Sequence, residues 1–118
     1  MKIFLSHASS SEYHTELYLP IKEHFNYTSF NFIFPEELKV NSKDIIKSCD
    51  IFFCEISNVS FGVGIETGWA DAFNKPIYCF YKEGVKISSA FSYLTDKIFA
   101  YKSTDDLLHL LDNILNDV

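Results

Sequence analysis

The chain of 118 residues is long enough for one hydrophobic core, and we expect residues 1–118 to form a single domain. Its formal net charge is −6 and all 10 basic residues are Lys, which argues against a nucleic acid polymer as partner. No apolar run approaches the roughly 20 residues of a membrane span, and the N-terminus leads directly into a predicted strand instead of a signal peptide. Together with three Cys residues that lack metal-ligand spacing, these features predict a cytoplasmic protein with no metal site and no membrane contact.

Strands and helices alternate along the sequence. Residues 2–6 predict a first strand, and residues 12–25 predict a helix that Pro20 should kink or break. Residues 29–34 predict a second strand, followed by a short helix over 42–48. The apolar run 50–56 predicts a strand covered on both faces, with a helix over 65–74 after it. The remaining predicted elements are a buried strand over 77–81, a short helix over 86–93, an edge strand over 97–101 and an amphipathic helix from Thr104.

This alternation predicts an α/β fold. A strand that is followed by a helix and then by another strand normally pairs in parallel with its neighbour, so five such strands give a parallel sheet. We therefore expect a single-domain Rossmann-like or flavodoxin-like three-layer sandwich with a five-stranded parallel sheet. Sheets of this kind bind ligands at the carboxyl ends of their strands.

The most informative stretch is NVSFGVGIETGWADAFNKP at residues 58–76. It places Glu66 two residues after a Gly62-x-Gly64 pair, where a strand is expected to lead into a helix. We predict that Gly62 and Gly64 form the turn, admit a close-lying ligand, and leave Glu66 beside backbone N–H groups that keep it ionised. A carboxylate at such a position can attack the anomeric carbon of a sugar.

The stretch resembles the signature of the nucleoside 2-deoxyribosyltransferase family, which includes the 2'-deoxynucleoside 5'-phosphate N-hydrolases. The resemblance runs from about residue 50 to residue 76 and more weakly to residue 90. It implies an enzyme that cleaves or transfers at the N-glycosidic bond of (deoxy)nucleosides or their 5'-monophosphates, with Glu66 as nucleophile and no cofactor. It also implies that Ser60 contacts a 5'-phosphate, and that Ser88 reaches the phosphate site of a second subunit in a homodimer.

The N-terminal end departs from the family pattern. Family members have a Tyr in the first strand followed by Gly-Ser, whereas this chain has Ile3 or Phe4 in place of the Tyr and Ser6-His7 in place of Gly-Ser. We predict that Ser6 and His7 nevertheless contact the substrate, because they end a strand beside the expected site.

A second acidic group is missing from the predicted site. The family carries an Asp that holds the nucleophile or the sugar hydroxyls, and its register falls on Ser42 in this chain. Asp44 would substitute only if its helix were shifted. Glu55, near the end of the third predicted strand, is the other candidate.

Two alternatives remain open at this point. Residues 3–9 are similar to the first motif of bacterial Toll/interleukin-1 receptor domains, some of which cleave NAD with a Glu. The absent Tyr and Asp are also compatible with a non-catalytic nucleotide-binding module. Within the first interpretation, the sequence leaves open hydrolysis or transfer, the base, ribose or deoxyribose, and the need for a 5'-phosphate.

Overall fold

Five strands form the centre of the computed structural model, which describes residues 1–9, 12–38, 41–58 and 60–118. Their bounds are β1 Lys2–His7, β2 Asn31–Ile33, β3 Ile51–Glu55, β4 Ile77–Lys82 and β5 Ile98–Tyr101. They make one sheet in the order β2-β1-β3-β4-β5, and every neighbouring pair is parallel. The predicted five-stranded parallel sheet is confirmed.

The α-helices of the described residues are α1 Leu19–His24, α2 Ser42–Ser48, α3 Phe61–Ala72 and α4 Thr104–Asn116. A π-helical turn, His14–Tyr18, runs into α1. Pro20, which lacks the N–H that a regular helix would use, comes just after this change of helix type. The helical conformation continues through Pro20 to His24, so Pro20 does not break the helix. Among these helices, none is long and apolar enough to cross a bilayer.

Two buried clusters, one on each face of the sheet, make the three-layer sandwich. On one face α1, α4 and the π-helical turn pack on the sheet through the residues Tyr18, Ile21, Phe25, Leu107, Leu111 and Leu115. On the other face α2 and α3 pack on it through Ile46, Val63 and Ala70. The predicted layering is therefore confirmed, and it leaves the carboxyl edge of the sheet free of a covering layer.

β1 lies where the chain changes direction across the sheet. The chain leaves β1 for β2 on one side and returns to β3 on the other, which creates a crevice at the carboxyl ends of β1 and β3. Side chains alternate along β1, so Phe4 packs with the α2–α3 cluster while Ile3 and Leu5 pack with the α1–α4 cluster. The same alternation directs Ser6 toward α3 and His7 toward the π-helical turn.

Helix α3 begins at Phe61, four residues before the predicted start. Ser60 is its N-cap, and its Oγ accepts a hydrogen bond from the Val63 N–H at 3.3 Å. Gly62 and Gly64 lie inside the helix, so the prediction that they form the turn is wrong. Glu66 consequently lies in the second turn, where the helix N-terminus stabilises an anion much less than in the first.

Two glycines offer a matched stability test. Gly68 lies inside α3, and a Cβ there would meet no heavy atom within 4 Å, so Gly68→Ala should stabilise the fold by about 0.5–1 kcal/mol. Gly84 has a φ of +88°, in the left-handed region, so Gly84→Ala should destabilise it by about 1 kcal/mol. Urea unfolding of both variants measures the two effects, and shifts of the same sign would contradict this assignment.

Candidate active site

A cleft of about 310 Å³ opens at the carboxyl end of β1. We call it the Glu66 cleft, and its volume lies at the lower end of the range of small-molecule sites. It is lined by His7, Ser9, Pro35, Glu36, Ser42, Ser60, Gly62, Ile65, Glu66 and Trp69. These residues come from the ends of β1 and β2, the start of α2 and one face of α3, so the cleft is the crevice that the sheet order creates.

Glu66 reaches from α3 toward the end of β1. The Ser6 hydroxyl donates a hydrogen bond to Glu66 Oε1 at 2.8 Å, across 60 residues of sequence. In the described part of the chain this is the one hydrogen bond of the Glu66 carboxylate, and no Lys forms an ion pair with it. Glu66 is thus a partly buried carboxylate with one oxygen held and the other available to a ligand.

Ser6 itself is fully buried. Its hydroxyl contacts the candidate nucleophile, Glu66, inside the protein. Direct contact between Ser6 and a substrate stays a prediction, and the burial of Ser6 does not favour it. The bond fixes the Glu66 side chain in one orientation, which a nucleophile needs if its free oxygen is to meet a sugar carbon.

His7 is held on the opposite face of β1. Its Nδ1 lies 2.8 Å from the Ala8 carbonyl oxygen and its Nε2 lies 2.6 Å from the Tyr18 hydroxyl. Because a carbonyl only accepts, Nδ1 carries the proton and Nε2 accepts from Tyr18. Burial raises the pKa of Tyr18, which keeps this hydroxyl protonated. Both His7 nitrogens are therefore engaged, and substrate binding by His7 stays a prediction that would require one bond to break.

A second, smaller cleft of about 180 Å³ lies on the other side of the α3 N-terminus. We call it the Ser88 cleft. Its lining includes Ser60, Gly64, Lys86, Ser88 and Phe91, so Ser60 is common to both clefts. Ser88 is exposed and caps a 3-10 turn, Ser89–Tyr93, by accepting from the Ala90 N–H at 3.2 Å. The structure brings Ser6, His7, Ser60, Gly62 and Glu66 together, and it places Gly64 and Ser88 in the adjacent cleft.

Comparison with solved structures identifies the fold. A CMP N-glycosidase from Clostridium botulinum is similar with a TM-score of 0.74 and 23% identity, over 95% of this chain and 99% of that one. A 2-deoxyribosyltransferase from Bacillus psychrosaccharolyticus is similar with a TM-score of 0.65 and 19% identity, over 92% of this chain and 90% of that one. The chain shares the fold of these two enzymes. No protein-family model and no curated protein sequence matches it.

The Glu66 cleft contains three polar or aromatic side chains that the sequence interpretation did not place there. They are Ser9, Glu36 and Trp69. Glu36 comes shortly after the end of β2. Because the carboxyl ends of parallel strands lie at one edge of the sheet, its position in the sequence could have indicated that it lines the site. Trp69 follows Glu66 by three residues, and that spacing puts both on one face of a helix.

Glu55, the other candidate for a second acidic group, lies outside the Glu66 cleft. It is buried, and its carboxylate accepts hydrogen bonds from the Ser57 N–H at 2.6 Å, the Ser57 hydroxyl at 3.1 Å and the Tyr101 hydroxyl. Burial and the bond to Glu55 raise the pKa of Tyr101, which keeps it a donor. These bonds tie the end of β3 to β5, and Glu55 does not line the Glu66 cleft.

Proposed function

We propose that the protein cleaves or transfers at the N-glycosidic bond of nucleosides or their 5'-monophosphates, with Glu66 as nucleophile. The observation that carries the proposal is the partly buried Glu66 carboxylate, held by Ser6 at one oxygen and opening onto a cleft of small-molecule size. The fold supports it, because a CMP N-glycosidase and a 2-deoxyribosyltransferase share this architecture.

The reaction would proceed in two displacements at the anomeric carbon. The free Glu66 oxygen attacks that carbon as the bond to the base breaks, and the positive charge that develops on the sugar is stabilised by the carboxylate. Water or a second base then displaces Glu66 and completes hydrolysis or transfer. Ile65 and Trp69 offer an apolar wall in the same cleft, against which the flat face of a base can pack.

The start of α3 offers groups that can bind a 5'-phosphate. Ser60 lies there between the two clefts, and Lys86 and Ser88 add a cation and a hydroxyl in the Ser88 cleft. No Arg exists in the chain, so a phosphate would rely on these groups and on backbone N–H groups. We therefore place the phosphate of a nucleotide substrate at Ser60.

The free thiols fit a reducing compartment such as the cytoplasm, which we propose as the location. Cys49, Cys54 and Cys79 are unpaired and buried. Cys54 and Cys79 lie side by side on β3 and β4 with their sulfur atoms 3.3 Å apart, a separation too long for a disulfide. These residues act as small core hydrophobes.

We propose that the active unit is a homodimer. Phe61 and Ile65 are four residues apart on α3 and have exposed fractions of 92% and 54%, which is unusual for large apolar side chains beside a cleft.

The double variant Phe61→Ser, Ile65→Ser should convert a dimer of twice 13.6 kDa into a monomer. Light scattering measures the mass. Tyr27→Ser, at a 98% exposed position after α1, is the matched control and should leave the dimer intact.

The test of function is a chromatographic assay against nucleosides, deoxynucleosides, their 5'-monophosphates and NAD. Release of free base from one of the first three classes is the expected result and names the substrate. Adding a second base distinguishes transfer from hydrolysis. Release of nicotinamide alone would instead support the chemistry of the Toll/interleukin-1 receptor-like alternative, and binding without any release would indicate a non-catalytic module.

A further inference from the structure

The Glu66 cleft needs a proton source as well as a nucleophile. When the bond between the sugar and the base breaks, the electron pair stays on the base, and a general acid that protonates the base lowers the barrier. Three side chains that line the cleft are of types that act as general acids in enzymes: His7, Glu36 and Glu66. Glu66 is the proposed nucleophile and both nitrogens of His7 are engaged, which leaves Glu36.

We propose that Glu36 is the general acid of the Glu66 cleft, an inference that rests on the proposed function. Glu36 lies in a 3-10 turn, Pro35–Glu37, shortly after β2, and it lines the same cleft as Glu66 of α3. Its carboxyl group is exposed to solvent and can exchange its proton with water between turnovers.

The structure holds Glu36 at both its backbone and its side chain. Its N–H donates to the Tyr18 hydroxyl at 3.2 Å, and this hydroxyl donates in turn to His7. The Ser9 hydroxyl donates to Glu36 Oε1 at 2.9 Å. A carboxylic acid can accept the Ser9 bond at Oε1 while Oε2 carries the proton for the base.

Consecutive residues of β1 thus position the Glu66 carboxylate and the backbone of Glu36. Ser6 faces α3 and holds Glu66 directly, whereas His7 faces the other side and holds Glu36 through Tyr18. In this arrangement the end of β1 positions Glu66 and Glu36, and this function does not require Ser6 or His7 to contact the substrate.

The proposed steps balance. In the first, the Glu36 proton passes to the leaving base, the bond between sugar and base breaks, and Glu66 bonds to the anomeric carbon. In the second, water attacks that carbon, passes one proton to Glu36 and releases Glu66 with its electron pair. The sum is hydrolysis of one N-glycosidic bond by one water molecule, with both carboxyl groups restored.

The test compares Glu36→Gln on two leaving groups. With the substrate from the assay above, the variant should lose about 10²–10⁴-fold in kcat/KM, the usual contribution of a general acid. With a 4-nitrophenyl glycoside of the same sugar, whose leaving group departs without protonation, it should lose less than about threefold. Glu66→Gln should lose activity on both. The matched control is Glu37→Gln, which removes the neighbouring carboxylate, paired with Lys22 outside the cleft, and should retain both activities.

Each other outcome overturns the proposal in a distinguishable way. Equal losses on both leaving groups would show that Glu36 binds or positions the sugar. Unchanged activity in Glu36→Gln would show that Glu36 takes no part in catalysis, while the proposed function would still hold. Wild-type protein that releases neither base nor nitrophenolate would overturn the proposed function and this inference together. Thermal unfolding of Glu36→Gln separates a folding defect from a chemical one.

Discussion

Glu66→Gln should lower the rate of base release by at least about 10³-fold, because the variant lacks the carboxylate that attacks the sugar and compensates its charge. The substitution is conservative in shape. The Gln carbonyl oxygen can still accept the Ser6 hydroxyl, so the side chain should keep its place in the cleft. The loss should therefore appear in kcat, measured at saturating substrate, with binding retained.

Asp71→Asn is the matched control for Glu66→Gln. It removes one negative charge from the same helix at an exposed position outside both clefts. We expect its turnover and its thermal unfolding midpoint to stay close to those of the wild type. If Asp71→Asn lost as much activity as Glu66→Gln, the effect would come from the charge of α3 as a whole, and the nucleophile assignment would be wrong.

The layered fold was predictable because its elements are continuous in sequence. The apolar run that became β3 is buried at every position, and the run that became β4 is buried at Ile77, Cys79 and Phe80. A parallel strand covered on both faces needs such a run. The amphipathic pattern from Thr104 likewise became α4, with Leu107, Leu111 and Leu115 inward. Strand ends were less certain, since β2 spans only Asn31–Ile33 within the predicted residues 29–34.

The start of α3 was not predictable from propensity. Glycine disfavours a helix, so Gly62 and Gly64 argued for a turn. In the folded chain the Ser60 cap and the burial of Val63 against the sheet outweigh that cost. The consequence for the site is that the Ser6 bond, and not the helix N-terminus, is what holds Glu66.

The contacts within the site escaped prediction because they join distant parts of the sequence. Ser6 and Glu66 are 60 residues apart, and the bond between Tyr18 and Glu36 spans 18 residues. The sequence shows only that Ser6 and His7 end a strand near the site. Strand alternation then decides which of them contacts α3 and which contacts the π-helical turn. To predict these contacts, one has to know which helix covers which face of the sheet.

Ser6→Ala tests whether the bond from the Ser6 hydroxyl to Glu66 is needed for catalysis. Removing the hydroxyl frees Glu66 to adopt other orientations, and we expect kcat to fall about 10–10²-fold, as misplacing a reacting group typically costs. KM should change much less, because Ser6 is fully buried, contacts Glu66 and does not line the cleft. Ser6→Cys, with a weak donor of similar size, should recover part of the lost kcat.

Thr67→Val separates this positioning role from simple damage to the core. Thr67 is as buried as Ser6 and lines neither cleft, and its hydroxyl donates to the Val63 carbonyl oxygen at 2.7 Å within α3. Each substitution deletes one buried hydrogen bond and should cost a similar stability of about 1 kcal/mol. Only Ser6→Ala should lower kcat. Because Glu66 and Thr67 are adjacent on one helix, a similar loss in Thr67→Val would mean that the site responds to α3 packing and not to the hydroxyl of Ser6.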